Sequence, residues 1–388
     1  MLLAAVAMGC DVAPPTPVAD TPCVRVAGVW VTTGYDDAGR PIRTELGEGR
    51  LTEGVATTTT LEIKLGRFAL PASVTRQAIC LQASTAAVQQ LDSCNSPGPE
   101  ALEPRYSVVE RSATYHQPSG NALAPSTFYR LTIYPPTDQA DYGFRAFDRA
   151  PLDRVYVLDF RTAPEAAPAH EEPPPTAERY CAAVHCAQHC RASSQDPTAQ
   201  QACIAHSCDC LDEGCFGDGD LTAPDRGIFA ASCAFGGCHS GGNPAAGVPW
   251  GGGDAAMGLD LGTPDAIEWT AINRVAHETA TGEGATTPEV NPARFGRSMP
   301  LVMPASPGNS YLIYKAAAQL LNHPPADTLD TDFLAELERL RESALLGQPM
   351  PLAMPMVMDV ADPDGKLSWE RLKLLEAWIG AGAVTRCP

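Results

Sequence analysis

Between Cys23 and about Ala163, short runs of β-branched and aromatic residues recur, several of them alternating with polar positions. The runs 24–31, 60–65, 78–81, 106–109, 128–134 and 155–160 are separated by turn-rich stretches, which predicts about six or seven short strands. That spacing over roughly 140 residues is the pattern of a β-sandwich. Cys80 and Cys94 can bridge within the block. It contains no nucleophile, base or metal-ligand cluster, so it reads as a spacer or binding module.

Beyond it the pattern changes. Residues 164–176 carry Pro164, Pro168, Pro173, Pro174 and Pro175 and read as a linker. A cysteine-dense stretch follows, with Cys181, Cys186, Cys190, Cys203, Cys208, Cys210 and Cys215, and with His185, His189 and His206 among them. Cys186 and Cys190 stand four apart, as do His185 and His189, so each pair shares a helix face. A second arm around Cys203 to Cys208, returning after a turn at 194–198, makes a disulfide-stapled helical hairpin. Zinc is the competing reading of cysteine and histidine at such spacing, although no close Cys-x-x-Cys pair is present. From residue 220 onward the expected class is mostly α. Helices are predicted over 223–232 and 367–379, the second capped by Ser368, with Leu372, Leu375, Trp378 and Ile379 on one apolar stripe. The expected organisation is thus 1–22 leader and tether, 23–163 β-sandwich, 164–219 linker and Cys-rich hairpin, and 220–388 helical domain.

Composition adds an address. The 388 residues carry a formal net charge of −19, which argues against nucleic acid as a partner. Residues 1–10 form an apolar run ending in Gly9-Cys10 that resembles a bacterial lipoprotein signal, which implies a lipid on Cys10 and a membrane attachment by that anchor alone. Residues 13–17, Ala-Pro-Pro-Thr-Pro, then form a stiff tether. Fourteen cysteines in an exported chain imply an oxidising compartment. Setting aside Cys10 and the pair Cys233/Cys238 leaves eleven. An odd number requires one free or intermolecular thiol, or a Cys10 without lipid.

The candidate chemistry lies in the run Cys233-Ala-Phe-Gly-Gly-Cys238-His239. Two thiols followed directly by an imidazole form the attachment signature of c-type haem: the thiols add to the vinyl groups and the histidine reaches the iron. Here four residues separate the cysteines instead of two. Further pieces follow in order: Gly258-Leu259-Asp260-Leu261, then Pro304 to Lys315, then Met-Pro loops, and a closing Ala377-Trp378-Ile379-Gly380-Ala381-Gly382-Ala383. Together they resemble the small cytochrome c-like domains of bacterial envelope proteins over most of residues 220–386.

That resemblance implies one covalent haem c held by Cys233 and Cys238, with His239 as proximal ligand and Met350 as distal ligand, Met354 standing second. Met299 and Met303 read as packing residues. The alternative is a haemless relative in which Cys233 and Cys238 form a disulfide. In the first block, Leu70 to Val74 and Leu158 to Thr162 resemble bacterial Ig-like domains. The combined expectation is an envelope-anchored electron-transfer lipoprotein, not an enzyme, that meets a redox partner protein or another envelope component. Its rival is a surface or adhesion lipoprotein without haem. His116, His170, His277 and His323 read as surface residues. Residues 359–365 read as a solvated turn, since they lack the ligand pattern of a calcium loop.

Overall fold

The computed structural model describes residues 21–36, 41–90, 102–118, 121–136, 143–166, 176–196, 198–200, 202–203, 210–211, 214–215, 229, 239–242, 244–249, 252, 258–276, 299–318, 331–345 and 369–387. The chain divides into two compact units, Met1–Glu172 and Pro173–Pro388.

Among the described residues of the first unit, nine strands form two sheets. The five-stranded sheet has the order β2-β1-β4-β7-β6, from β1 (Val26–Tyr35), β2 (Pro41–Glu45), β4 (Leu61–Leu65), β6 (Glu103–Ser107) and β7 (Ser112–His116), and is antiparallel throughout. The four-stranded sheet runs β3-β9-β8-β5, from β3 (Leu51–Val55), β5 (Ile79–Ser84), β8 (Phe128–Ile133) and β9 (Tyr156–Thr162). Its β3–β9 pair is parallel. Alternation places Val29, Val31, Leu61, Ile63 and Tyr115 of one sheet, and Leu81, Tyr129, Leu131, Leu158 and Phe160 of the other, in a single buried cluster. Tyr129 and Phe160 are register partners and stack at 5.3 Å.

The six predicted runs all become strands, and β2, β3 and β7 are additions. Pro41 and Arg43 make β2 look unlike a strand, yet an edge strand tolerates both. In β3 a glycine and two polar residues dilute the pattern, and three of its five positions are exposed. Small and polar residues fill β7, whose Ala113 and Tyr115 are nevertheless fully buried.

Polar groups pin this unit from inside. Arg67, only 3% exposed, forks onto both carboxylate oxygens of Asp148 (2.6 and 3.2 Å), donates to Pro22 O (2.7 Å) and lies over the Phe147 ring. On β1, the Trp30 ring covers Gly28, where a Cβ would fall 2.2 Å from the indole. Lys64 completes that face over the same ring at 5.3 Å. His116 is not a plain surface residue. Burial, and then the charges of Arg105 and Arg43, push it down to about 4, and its ring nitrogens face the hydroxyls of Thr114 and Thr60.

In the second unit, helix α1 (Ala177–Ser193) begins at Thr176, whose hydroxyl accepts from Arg179 N at 3.2 Å. Among the disulfides that leave it, Cys190–Cys203 spans 13 residues and Cys181–Cys387 spans 206. Cys23, Cys80 and Cys186 are also disulfide-bonded; Cys94 lies outside the described residues. A short hairpin pairs β10 (Cys210–Leu211) with β11 (Gly214–Cys215). Next come α2 (Pro264–Thr270), α3 (Tyr311–Ala317), α4 (Thr331–Ser343) and α5 (Trp369–Gly380). No helix among the described residues is long and apolar enough to cross a membrane.

The expectation of a mostly α C-terminal domain is corrected: α2 to α5 account for less than half of the described residues beyond 220. The rest run as turns, 3-10 segments and isolated bridges such as Ile272 with Val302 and Val275 with Pro300. Proline and glycine break the helical period there, as at Pro300, Pro304, Pro307 and Gly308. The apolar stripe of α5 is present, with Leu372, Leu375, Trp378 and Ile379 all buried. A second stripe on α4, Phe333, Leu337 and Leu340, is buried too, and Phe333 meets Trp369 edge-on at 5.9 Å. The predicted helix 223–232 lies outside the described residues except for Phe229.

Arg67→Ala leaves Asp148 with an uncompensated charge in a nearly buried site, and is expected to destabilise the first unit by about 3–5 kcal/mol in urea unfolding. For His116 the neutral ring folds best, so the unfolded chain takes up a proton first as pH falls. Stability from this residue is complete above about pH 6.5 and is lost as pH falls through the window down to about 4. His116→Gln should flatten that part of the stability–pH curve. An unchanged slope would show that other groups set it.

Candidate functional site

His239 sits at the centre of the best-built polar arrangement in the second unit. The residue is 7% exposed. Two hydrogen bonds clamp it to the Gly-Leu-Asp-Leu stretch: its Nδ1 donates to Leu259 O at 3.1 Å, and its backbone carbonyl accepts from Leu261 N at 2.7 Å. A carbonyl oxygen can only accept, so Nδ1 carries the proton. In the neutral ring Nε2 is then the lone-pair nitrogen, the tautomer a metal ligand requires.

Asp260, between the two clamping leucines, is 1% exposed and fully engaged. Its carboxylate accepts from Gly242 N at 2.7 Å and from Gly262 N at 3.0 Å, bridging the loop after His239 to the loop before α2. Its own N–H donates to Thr270 Oγ1 at 3.0 Å, and that hydroxyl has Asp260 O and Ala266 O as acceptors, each at 2.8 Å. Thr270 is thereby fixed on the last turn of α2. The helix itself starts cleanly, with Thr263 accepting from Ala266 N and Pro264 in the first turn. At Gly262 a Cβ would be a tight fit, 3.2 Å from that of Ser240 and 3.3 Å from Asp260 Oδ1.

A second layer supports this floor. Leu301 N donates to Arg274 O (2.6 Å) and Ala276 N to Met299 O (3.2 Å), so residues 271–276 run beside 299–302. Met299 is fully buried there, and Met303 is partly buried, its N–H donating to Ser310 Oγ at 2.8 Å. Ala305 N in turn donates to Ile379 O on α5 at 2.8 Å. The end of α5 is a Schellman motif: Ala383 N reaches back to Trp378 O (2.9 Å), Gly382 N reaches Ile379 O (3.0 Å), and Gly382 takes a φ of 100°. Trp378 is fully buried, donates Nε1–H to Val384 O at 2.8 Å and meets Phe229 edge-on at 5.3 Å. Phe229 stands four residues before Cys233, so this contact ties the approach to the cysteine pair to the closing helix.

Of the residues the sequence singled out, the structure places His239. Cys233, Cys238, Met350, Met354 and Cys10 lie outside the described residues. Sequence reasoning missed the role of Thr270 altogether and quoted Asp260 only as part of a family-like stretch. The signal was present in Leu-Asp-Leu-Gly-Thr-Pro, where an aspartate precedes a glycine turn and a Thr-Pro helix start. Among the described residues no group of three or more His, Cys, Asp or Glu side chains converges as a metal site. No protein-family model matches the chain, and no curated protein matches it.

Asp260→Ala removes the acceptor of two buried N–H groups and is expected to cost about 3 kcal/mol in denaturant unfolding of the second unit. Hydrogen exchange should report the loss at the Gly242 and Gly262 amides first. Unchanged protection at both amides would mean that the carboxylate does not hold them.

Proposed function

We propose that the protein is an electron-transfer lipoprotein of the bacterial cell envelope, carrying one covalent haem c in its second unit. The observation that supports it best is the buried His239 ring, which the Nδ1–H bond to Leu259 O holds in the tautomer whose lone pair is on Nε2. A backbone carbonyl on the far nitrogen of a ligating histidine fixes ring orientation and raises its basicity. The donor set encoded around it fits the group: two thiols at Cys233 and Cys238, an imidazole at His239 and a thioether from Met350, with Met354 second. Bound there, haem would supply one-electron chemistry at iron, with Cys233, Cys238 and His239 and a thioether from Met350 or Met354 as the residues that would hold it.

The chain's own residues then have distinct roles. Cys233 and Cys238 would hold the group, Asp260 and Thr270 set the position of His239, and Trp378 packs against Phe229, four residues before Cys233 in the sequence. Burial of His239 keeps water from competing for the ligand position. The first unit, read as an Ig-like sandwich, serves as a spacer or docking arm toward a redox partner protein. A lipid on Cys10 attaches the whole to the membrane.

One observation favours the rival reading of a disulfide-held scaffold without haem. Cys23, Cys80, Cys181, Cys186, Cys190, Cys203 and Cys387 are all disulfide-bonded, so the chain is built for oxidative cross-linking, and a Cys233–Cys238 bridge would extend that habit.

Expression of the full chain in a cytochrome-maturing host separates the two. The haem reading expects a reduced-minus-oxidised α-band, the added mass of haem on the denatured chain, and loss of both in Cys233→Ser/Cys238→Ser. His239→Ala should keep the mass and change the spectrum. A chain with no α-band and the mass of a closed disulfide would overturn the proposal.

A further inference from the structure

We infer that the exposed face of helix α1 carries a second, independent metal site, in which His185 and His189 together bind a late first-row divalent ion, copper(II) most tightly. The inference does not rest on the haem reading and uses none of its residues.

The helix makes the arrangement. Both histidines lie inside α1, at positions i and i+4 of a continuous 17-residue helix, so their Cβ atoms stand one above the other on the same side. Both are exposed, whereas Ala183, Val184, Ala187 and Cys190, which the helical period turns away from them, are buried. Two imidazoles one helical turn apart are the nitrogen pair that metal-binding helices use. The helix is also held rigid from within, because Cys181, Cys186 and Cys190 are all disulfide-bonded. That pairing matters twice. It removes the thiolates from competition, so a Cys/His zinc site on this helix is ruled out in the oxidised protein, and it fixes the backbone that presents the histidines.

The chemistry of the pair selects the ion. Two neutral nitrogen donors and no carboxylate favour Cu2+ over Ni2+ and Zn2+ and give no purchase to Mg2+ or Ca2+. No third His, Cys, Asp or Glu joins them among the described residues, so water or an external ligand completes the coordination. The adjoining residues are Cys186, Ala187 and Gln188, and none of them is an acid or base for hydrolysis. The site therefore holds or passes on an ion and does not perform metal-assisted hydrolysis.

The test is a titration of copper(II) chloride into the full, oxidised chain with any remaining thiols alkylated, followed by calorimetry and by electron paramagnetic resonance. The expected result is one equivalent bound with a two-nitrogen signature and a raised Tm. His185→Ala and His189→Ala should each weaken that equivalent by about a hundredfold, the loss of a two-point attachment, while His116→Gln leaves it unchanged. Both substitutions are on the solvent side of the helix, so the apo Tm should stay at the wild-type value. Wild-type affinity in either single variant, or no equivalent bound at all, would overturn the proposal.

Discussion

The second unit depends on a covalent bond between its two ends. Cys181, buried in the second turn of α1, is joined to Cys387, three residues beyond the Val384 carbonyl that accepts from Trp378. On the chain-entropy view, closing a loop of 206 residues stabilises the folded state by about 5 kcal/mol. The unit has need of it. Helices α2 and α3 have seven residues each, far too few to persist alone. What holds the described segments beside them is a series of backbone hydrogen bonds that pass from residues 271–276 to 299–302, from Ala305 to α5, and through the Schellman turn to the C-terminal strap.

The setting of His239 is of the same kind. Its ring is oriented by a backbone carbonyl, and that carbonyl is placed by Asp260 and Thr270, which make hydrogen bonds with backbone groups on both sides. His239 Nδ1, the Asp260 carboxylate and the Thr270 hydroxyl each have partners, which fixes the orientation of the ring. The first unit solves a different problem. There two sheets share one apolar core, and the buried Arg67–Asp148 pair fixes a loop that the hydrophobic pattern alone would leave unplaced.

The sequence was legible where a period repeats. The six strand runs and the stripe of Leu372, Leu375, Trp378 and Ile379 followed from spacing alone; spacing also suggested a helix stapled to an arm around Cys203, without saying which cysteines pair. It was illegible where the governing contact is distant or the element is short. Strand β3 is an exposed edge that pairs in parallel with β9 across more than 100 residues, and nothing in its five residues announces that partner. The overestimate of helix in residues 220–388 came from extending the period of two strong helices across segments ruled by proline and glycine. The Asp260–Thr270 contacts were hidden for a related reason: a buried carboxylate has no periodicity, and its partners are main-chain groups that every sequence contains.

The Cys181–Cys387 bond also sets an order in time. A chain made from its N-terminus at about 5–20 residues per second exposes the Cys181 thiol some 10–40 s before Cys387 exists. During that interval Cys186, Cys190 and Cys203 are its near neighbours, and Cys190–Cys203 closes over only 13 residues. The bond that closes the unit can form only once the far end of the chain is made, so it requires a Cys181 thiol that is still unpaired by then or is released by thiol–disulfide exchange.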